Sequence, residues 1–355
     1  MSKTTKSTTA PKSKVAGNEI KNASWNPEGG GMLGGRKDFG PLFLLTVPPI
    51  FIILMWHTNY NLDGSLPQML QELIAGGPSY VYNNWPTPWN PLAWKIIFSY
   101  MAVELLLMRF VPGPEFRAMK TAMGNVPIYT DNGVMCYLIS IGLLALSTYF
   151  GVFVPGDIYD LMGNLLASIN VFALLFCIFL TIKGYYFPST SDNGPNGSLI
   201  LDVYWGTELY PRIFGWDVKV FTNCRFGMMF WALGIISFAH KQYLDIGYVS
   251  STMAICVALQ LIYITKFYIW ETGYFCSMDI QHDRAGYYLC WGCMAFLPCI
   301  YTSHTYYLVK HPIDLSLGYS AVLFILGVLS IWANYDADRQ RQHFRATDGK
   351  CSIWG

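Results

Sequence analysis

The hydrophobic positions of this chain fall in long runs that are separated by polar stretches. Most of these runs are close to the roughly 20 apolar residues that a helix needs to cross a bilayer. Eight runs cover residues 40–57, 92–110, 134–154, 162–182, 224–240, 251–270, 285–309 and 317–334. The pattern predicts an all-α fold, a polytopic membrane helical bundle with about eight spans.

Two of the eight runs are irregular. The run at 224–240 is short, and the run at 285–309 carries Pro298 near its middle. A proline inside a helix removes a backbone hydrogen bond and kinks the helix. We expect these two segments to be tilted, kinked or partly re-entrant.

The composition agrees with a membrane protein. Hydrophobic residues make up 53% of the chain and aromatic residues 16%, whereas charged residues make up only 13%. An ordinary soluble domain carries about twice that fraction of charge. The net charge is +1 and no dense basic stripe occurs beyond the first forty residues, which argues against nucleic-acid binding.

The first 39 residues differ from the rest. They are rich in Ser, Thr, Lys and Gly and contain no apolar period that could pack. No apolar core follows the first charges at signal-peptide distance. We interpret residues 1–39 as a disordered basic cytosolic tail and residues 40–355 as the membrane domain.

The distribution of Lys and Arg predicts the orientation of the bundle. The tail is basic, the loop from 58 to 91 has no Lys or Arg, and basic residues then recur in alternate connections. This alternation predicts a cytosolic N-terminus. It also places three polar connections, at 183–225, 271–284 and 334–355, in the cytosol.

The stretch from 266 to 298 is the strongest candidate for chemistry, because ionisable groups crowded against membrane-length apolar sequence usually mark a functional site. If the helix continues through the interface, Glu271 and Tyr274 share one of its faces, as do Asp279, His282 and Asp283. A carboxylate, a phenol and an imidazole would then meet in one cavity as candidate proton donors. The alternative is a cluster of charges at a helix end that simply meets water.

Two further polar segments have alternative interpretations. Asp202, Glu208 and Arg212 stand among aromatic residues after a turn-rich stretch and fit either a site or an interfacial loop. Arg341 and Arg345 lie one helical turn apart in a basic juxtamembrane segment. Guanidinium groups suit phosphate oxygens, but such a segment also attracts anionic lipid headgroups.

Nine cysteines, an odd number, are scattered mostly through apolar segments. Cys290 and Cys293 have CxxC spacing, but no second pair with zinc-site spacing accompanies them. We interpret them as buried packing residues and predict no metal site.

Four segments together resemble the sterol reductase family, which includes the sterol Δ14-, C-24(28)- and 7-reductases. The segment from Asp202 to Arg212 is similar to the first signature of that family. The other three are most similar to its 7-reductase branch: Phe221-Thr-Asn-Cys-Arg-Phe-Gly-Met-Met229, the segment from Met278 to Cys293, and Phe344-Arg-Ala-Thr-Asp-Gly-Lys-Cys351.

The resemblance implies an endoplasmic-reticulum enzyme that takes its sterol substrate from the bilayer, among membrane lipids, and reduces the C7–C8 double bond of a 5,7-diene with NADPH. It implies that Arg341 and Arg345 hold the cofactor. Glu271, Tyr274 and Asp279 would line the reaction cavity, with Tyr274 as the leading candidate for proton donor or relay.

Family members carry further signatures and two more spans, about ten in the complete fold, so we expect this sequence to be C-terminally incomplete. Three alternatives stay open: a catalytically inactive sterol-binding membrane protein or fragment, a Δ14-reductase of the same family, and a transporter. A transporter predicts internally repeated halves, and the sequence shows no repeat.

Overall fold

The structure is a computed structural model that describes residues 38–347 and 349–352, apart from the side chain of Arg345. Its helices, in chain order, are α1 (Phe39–Asn61), α2 (Leu66–Asn83), α3 (Pro91–Phe110), α4 (Gly133–Tyr149), α5 (Asp157–Tyr186), α6 (Leu199–Trp205), α7 (Val218–Val220), α8 (Met228–Ile246), α9 (Ser251–Ile269), α10 (Glu271–Phe275), α11 (Met278–Gln281), α12 (Tyr287–Trp291), α13 (Leu297–Ile300), α14 (Ser303–Leu308) and α15 (Leu317–Ala346). Two π-helical segments, π1 (Phe221–Gly227) and π2 (Gly292–Phe296), join α7 to α8 and α12 to α13. Two short antiparallel hairpins pair β1 (Glu115–Arg117) with β2 (Ile128–Thr130) and β3 (Arg212–Ile213) with β4 (Trp216–Asp217).

The helical bundle confirms the predicted fold class. Six helices of the described chain are long and apolar enough to cross a membrane: Phe39–Asn61, Pro91–Phe110, Asp157–Tyr186, Val218–Ile246, Ser251–Ile269 and Leu317–Phe344. The other two predicted segments are also helical. Helix α4 is shorter, and the run from α12 to α14 is broken by π2 and contains Pro298, in line with the expected irregularity.

Hydrogen bonds join the loops into two groups at opposite ends of the bundle. We call one group the polar end; it comprises the loops 111–132, 187–217 and 270–286. Within it, Asn125 Nδ2 donates to Asp192 at 2.7 Å and Arg212 Nη2 donates to the carbonyl of Ile128 at 2.5 Å. At the opposite end, Lys310 Nζ donates to the carbonyl of Tyr60 at 2.9 Å.

The last helix brings the C-terminal segment to the polar end. Helix α15 packs along α9, where Lys266 Nζ donates to Asn334 Oδ1 at 2.9 Å and the rings of Trp270 and Tyr335 meet edge to face. The distribution of Lys and Arg predicts that three polar connections lie on the same side of the membrane. In the structure these three connections lie at the same end of the molecule.

Two local expectations were wrong. The connection from 58 to 91 contains α2, whose first turn is capped by Ser65 Oγ. A helix does not continue through the interface: α9 ends at Ile269, α10 ends at Phe275, and α11 begins at Met278, where Ser277 caps it by accepting from the backbone N–H of Ile280. The basic tail falls almost entirely in residues 1–37, outside the described residues.

The two π-helical segments pack directly on one another in the middle of the bundle. Their backbones approach so closely that a Cβ on Gly227 would lie 2.5 Å from the carbonyl oxygen of Cys293, so only glycine fits there. Single π-helical turns inside α-helices occur frequently at functional sites. This contact lies beside the candidate residues described next.

Candidate active site

A fully buried ion pair stands where π1 meets the polar end. Arg225, on π1, and Glu271, at the start of α10, are both 0% exposed, and the guanidinium forms a two-pronged contact with the carboxylate. Arg225 Nη2 also donates to Asn132 Oδ1 at 2.7 Å. Paired, hydrogen-bonded geometry of this kind is what makes a buried charge tolerable.

The carboxylate of Glu271 is satisfied on both oxygens. Its Oε2 accepts from the backbone N–H of Gly133, at the first residue of α4, at 3.0 Å. A Cβ on Gly133 would approach that oxygen to 2.5 Å, so the glycine is required for the contact. Glu271 thus links α4, π1 and α10, which is a positioning role for the segment that follows it.

Tyr274 is held one turn further along α10. Its hydroxyl is buried, and no described residue accepts from it or donates to it. Burial raises the pKa of Tyr274 well above its ordinary value, with smaller contributions from Cys224, Cys293 and Asp279. The phenol therefore stays protonated at neutral pH as an unused donor in the interior.

Lys219 organises the turn that carries the other predicted residues. Its ammonium group donates to three backbone carbonyls, those of Asp279 at 3.0 Å, Ile280 at 2.6 Å and Asp283 at 2.8 Å. Lysine is effective here because one ammonium group offers three donors. The Lys219 ammonium group thereby caps the C-terminal end of α11 and fixes the turn from 279 to 283.

The carboxyls of this turn lie in a partly buried, acid-rich environment. Burial raises the pKa of Asp279, opposed by Lys219. Burial and then the neighbouring Asp279 raise the pKa of Asp283, opposed by Lys219 and His282. His282 itself is exposed at the surface. Asp279 lies close enough to Tyr274 to raise the pKa of its hydroxyl, whereas the carboxylate of Glu271 points toward Arg225 and pairs with it.

The loop that resembles the first family signature is stabilised by its own acidic residues. Asp202 Oδ1 accepts from the backbone and side chain of Asn196 at 2.6 and 2.8 Å, and Tyr185 donates to its other oxygen. Glu208 pairs with Lys183 at 2.7 Å. Arg284 Nη1 donates to the carbonyl of Gly194 at 2.5 Å and so ties this loop to the turn from 279 to 283.

The two predicted cofactor residues lie at the end of α15. Arg341 is 61% exposed on its side chain and pairs with Asp338 at 3.0 Å. The side chain of Arg345 lies outside the described part of the structure. An exposed guanidinium on a helix at the polar end suits a phosphate group, so the donor chemistry fits a dinucleotide phosphate.

A separate apolar cavity of about 690 Å³ opens between α3, α4, α5 and α8. Phe226 of π1 and Met294 of π2 form part of its wall. Tyr274 is not among the described residues that line it, and packs instead with Cys224 and the hydrophobic cluster of the polar end. The two π-helical segments therefore stand between Tyr274 and the cavity.

Three buried residues of these regions were not identified from the sequence. In the sequence, Lys219 and Arg225 belong to the basic connection 183–225, and Glu104 lies inside the apolar run 92–110. Each had a signal in the sequence, since a charge within or beside a spanning segment is costly unless it is paired or functional. Glu104 is 1% exposed and lines the cavity.

Six cysteines are buried in the interior, as the apolar spacing predicts, whereas Cys256, Cys276 and Cys351 are partly exposed. Cys290 is fully buried beside Cys177, and Cys293 Sγ accepts from Asn223 Nδ2 at 3.2 Å. All nine cysteines are free.

Comparison with known proteins places this chain among sterol reductases. The model of the "Ergosterol biosynthesis ERG4/ERG24 family" matches residues 48–353. The 7-dehydrocholesterol reductase of Arabidopsis thaliana is 45% identical over 88% of this chain and 73% of its own length. That of Xenopus laevis is 34% identical over 88% of this chain and 70% of its own length. A Delta(14)-sterol reductase of Methylotuvimicrobium alcaliphilum is 31% identical over 89% of this chain and 73% of its own length.

Proposed function

The chain belongs to the ERG4/ERG24 family of sterol reductases, and from that membership we propose that it reduces the C7–C8 double bond of 5,7-diene sterols with NADPH. The choice of this bond rests on one observation: the chain is more similar to the two 7-dehydrocholesterol reductases than to the Delta(14)-sterol reductase. The proposed setting is the endoplasmic-reticulum membrane with the polar end in the cytosol.

The chemistry requires a proton donor, because the conjugated 5,7-diene of a sterol has no adjacent carbonyl group that would make it accept a hydride. Protonation at C8 of a 5,7-diene leaves an allylic cation spread over C7 and C5. NADPH, when bound, supplies the hydride that is added at C7. The product keeps the C5–C6 double bond, and one proton and one hydride have been consumed.

We assign the proton to the Tyr274 hydroxyl. It is buried and protonated, and it has no partner among the described residues, so its donor is available. Asp279 and Asp283, whose pKa values are raised by burial, are proposed to return a proton to the phenol from the aqueous side. Glu271 holds α10 in place through Arg225, and His282 lies exposed at the aqueous end of this proposed route.

We assign Arg341 and Arg345 to the phosphates of NADPH. Both belong to the segment of α15 that reaches the polar end, where a soluble cofactor would arrive from the cytosol. Arg341 is exposed and its pairing with Asp338 is a weak surface ion pair, so a phosphate can displace the carboxylate.

The test is NADPH-dependent loss of the diene absorbance of 7-dehydrocholesterol in membranes that contain the chain, with the product identified by mass spectrometry. We expect cholesterol, and a Δ8,14-diene offered in parallel should be reduced much more slowly. Reduction of the Δ14 bond alone would assign the chain to the other branch.

A second candidate function is sterol binding without reduction. The apolar cavity favours it, because that cavity needs no cofactor to hold a lipid. Sterol retention without any NADPH-dependent loss of diene absorbance would select this candidate.

A further inference from the structure

The hairpin of β3 and β4 has an exposed phenylalanine at its tip. Phe214 and Gly215 form the two-residue turn, and Phe214 is 90% exposed. Both residues have positive φ, 49° at Phe214 and 90° at Gly215, a region that a bulky side chain rarely adopts. Turns of this kind favour Asn-Gly or Asp-Gly. A phenylalanine in this position carries a conformational cost, which points to a function outside the turn.

The hairpin is fastened to the last turns of the spanning helix α3. Trp216 Nε1 donates to the backbone carbonyl of Leu105 at 3.0 Å. The guanidinium group of Arg109 lies over the Trp216 ring, 5.9 Å from its centroid. Ile213, on β3, packs against the same hydrophobic cluster as Leu105. These contacts fix where the hairpin stands along α3.

The length of α3 gives the depth of these contacts in the membrane. The helix has 20 residues, which span about 30 Å, the thickness of the hydrocarbon core. Its two ends therefore lie at the two hydrocarbon boundaries. Exposed Trp89, just before the helix, is of the type that is enriched at such boundaries. Leu105 lies five positions before Phe110, about 7 Å inside the other boundary, so the hairpin reaches the membrane.

The neighbouring surface of α3 faces lipid. Leu106 and Phe110 are exposed apolar side chains of this spanning helix. The turn of the hairpin stands beside that surface, because a Cβ on Gly215 would lie 3.4 Å from Arg109 Nη1. Arg109 is exposed as well, and an arginine at a membrane boundary places its charge in the polar layer while its stem covers apolar surface.

We propose that the hairpin of β3 and β4 is a membrane-interface anchor, in which Phe214 inserts among the phospholipids at the boundary of the hydrocarbon core. Phospholipid is the favoured occupant because α3, to which the hairpin is bonded, is itself surrounded by lipid at this depth. Insertion removes the exposed ring from water, and this gain offsets the conformational cost of the turn.

The anchor is joined to the candidate site through β4. Asp217 Oδ1 accepts from the backbone N–H groups of Lys219 at 3.1 Å and Val220 at 3.0 Å. Lys219 in turn fixes the turn from 279 to 283. Membrane contact at Phe214 thereby helps to position a segment that leads into the site. The inference goes beyond the proposed function and does not depend on it, since neither sterol nor NADPH enters its tests.

Photo-crosslinking of the full chain in phospholipid nanodiscs tests the proposal. The photoreactive residue p-benzoylphenylalanine replaces Phe214, and the phospholipid carries a radiolabel in its acyl chains. The larger side chain has room because position 214 is exposed. After illumination, we expect labelled lipid to be attached covalently to the chain.

Two other exposed phenylalanines are matched controls. Phe98 lies near the middle of α3 and should crosslink to lipid efficiently. Phe344 lies nine positions after Tyr335, the residue that meets Trp270 at the end of α9, and so projects about 13 Å beyond it. Position 214 should attach several-fold more lipid than position 344. Attachment no higher than at position 344 would overturn the proposal, as expected if Phe214 contacts a soluble partner instead.

Hydrogen exchange of the hairpin amides in nanodiscs gives a second test, through Phe214→Asn. Asparagine adopts positive φ more readily than phenylalanine but cannot insert into lipid. Loss of the anchor should make exchange over residues 212–217 several-fold faster than in the wild-type chain. Phe344→Asn is the control and should leave that exchange unchanged. Unchanged or slower exchange in Phe214→Asn would mean that Phe214 contributes only its conformational cost, and would overturn the anchor.

Discussion

Two of the buried acidic side chains, Glu271 and Glu104, have different surroundings. Glu271 binds Arg225 and the backbone N–H of Gly133, so each of its oxygens has a partner. Glu104 is equally buried, but among the described residues only Ser140 donates to its carboxyl group, and its second oxygen has no hydrogen-bond partner. A satisfied buried charge fixes neighbouring elements, whereas an unsatisfied buried oxygen costs stability.

The same contrast separates the two sides of the π-helical wall. On the polar-end side, the ammonium group of Lys219 and the two terminal nitrogens of Arg225 donate to carbonyl and carboxylate oxygens of the protein itself, while Arg225 Nε has no described acceptor. On the lipid side, the lining of the cavity is mostly apolar, and its charged residues are Lys95, Glu104 and Asp157. Burial alone therefore does not mark a functional residue; the partners of each buried group have to be compared as well.

The largest effect should come from breaking the satisfied pair. Glu271→Leu leaves Arg225 buried and uncompensated, and we expect a loss of about 3–5 kcal/mol of stability, measured by thermal unfolding in detergent. The double variant Glu271→Leu with Arg225→Met should recover most of that loss. Glu115→Gln, which breaks the exposed pair with Arg117, is the control and should change stability by less than about 0.5 kcal/mol. A mild effect of Glu271→Leu alone would remove the distinction drawn here.

The Tyr274 hydroxyl is a second buried group that has no hydrogen-bond partner among the described residues. Tyr274→Phe removes the proposed donor and should lower turnover about 100-fold while leaving sterol retention intact. Because burial raises the pKa above its ordinary value of 10.0, the hydroxyl stays protonated, and the rate should not fall between about pH 7 and 9 through loss of this proton. Tyr288→Phe, an exposed neighbour, serves as control. Unchanged turnover in Tyr274→Phe would move the proton role elsewhere.

The next prediction concerns Arg341, whose charge is paired with Asp338 but exposed to solvent. Arg341→Ala should raise the KM for NADPH about tenfold with kcat little changed, since a phosphate contact contributes about 1.4 kcal/mol. Arg345→Ala should act in the same way. Arg339→Ala is the matched control, because Arg339 is similarly exposed on α15 and pairs with Asp336. Equal KM values in Arg341→Ala and Arg339→Ala would take Arg341 out of the cofactor site.

The smallest effect concerns the partner of Glu104. Ser140→Ala removes its only described donor and should reduce stability by about 1 kcal/mol, measured by thermal unfolding without sterol. Ser147→Ala also alters a serine of the cavity, but that hydroxyl bonds only its own helix, so less than about 0.5 kcal/mol is expected. Equal effects of the two variants would mean that Ser140 does not support Glu104.

The fold was predictable from the sequence because apolar length and charge spacing are local properties. The eight apolar runs and the shared end of the polar loops follow from them. The interruption at Cys276 and Ser277 was not predicted, since a capping serine competes with helix continuation only in the folded geometry. The pairing of Arg225 with Glu271 joins residues 46 positions apart, and no spacing rule reveals such a contact.

The site was predictable in part. The stretch from Glu271 to Asp283 stood out because of its charges in an apolar setting, and Tyr274 within it is buried without a partner. Glu104 could have been found by the same reasoning, because it is the one acidic residue of the run at 92–110. What the sequence does not contain is the cavity, which arises from the packing of four helices.

Thermal unfolding of the wild-type chain and of Glu104→Leu tests most directly whether the buried Glu104 lacks the stabilising partners that Glu271 has. We expect Glu104→Leu to be at least as stable as the wild-type chain without sterol, because an unpaired buried oxygen has been replaced by an apolar group. A variant that melts far below the wild-type chain without sterol, as Glu271→Leu should, would show that Glu104 holds the fold together and contradict this interpretation.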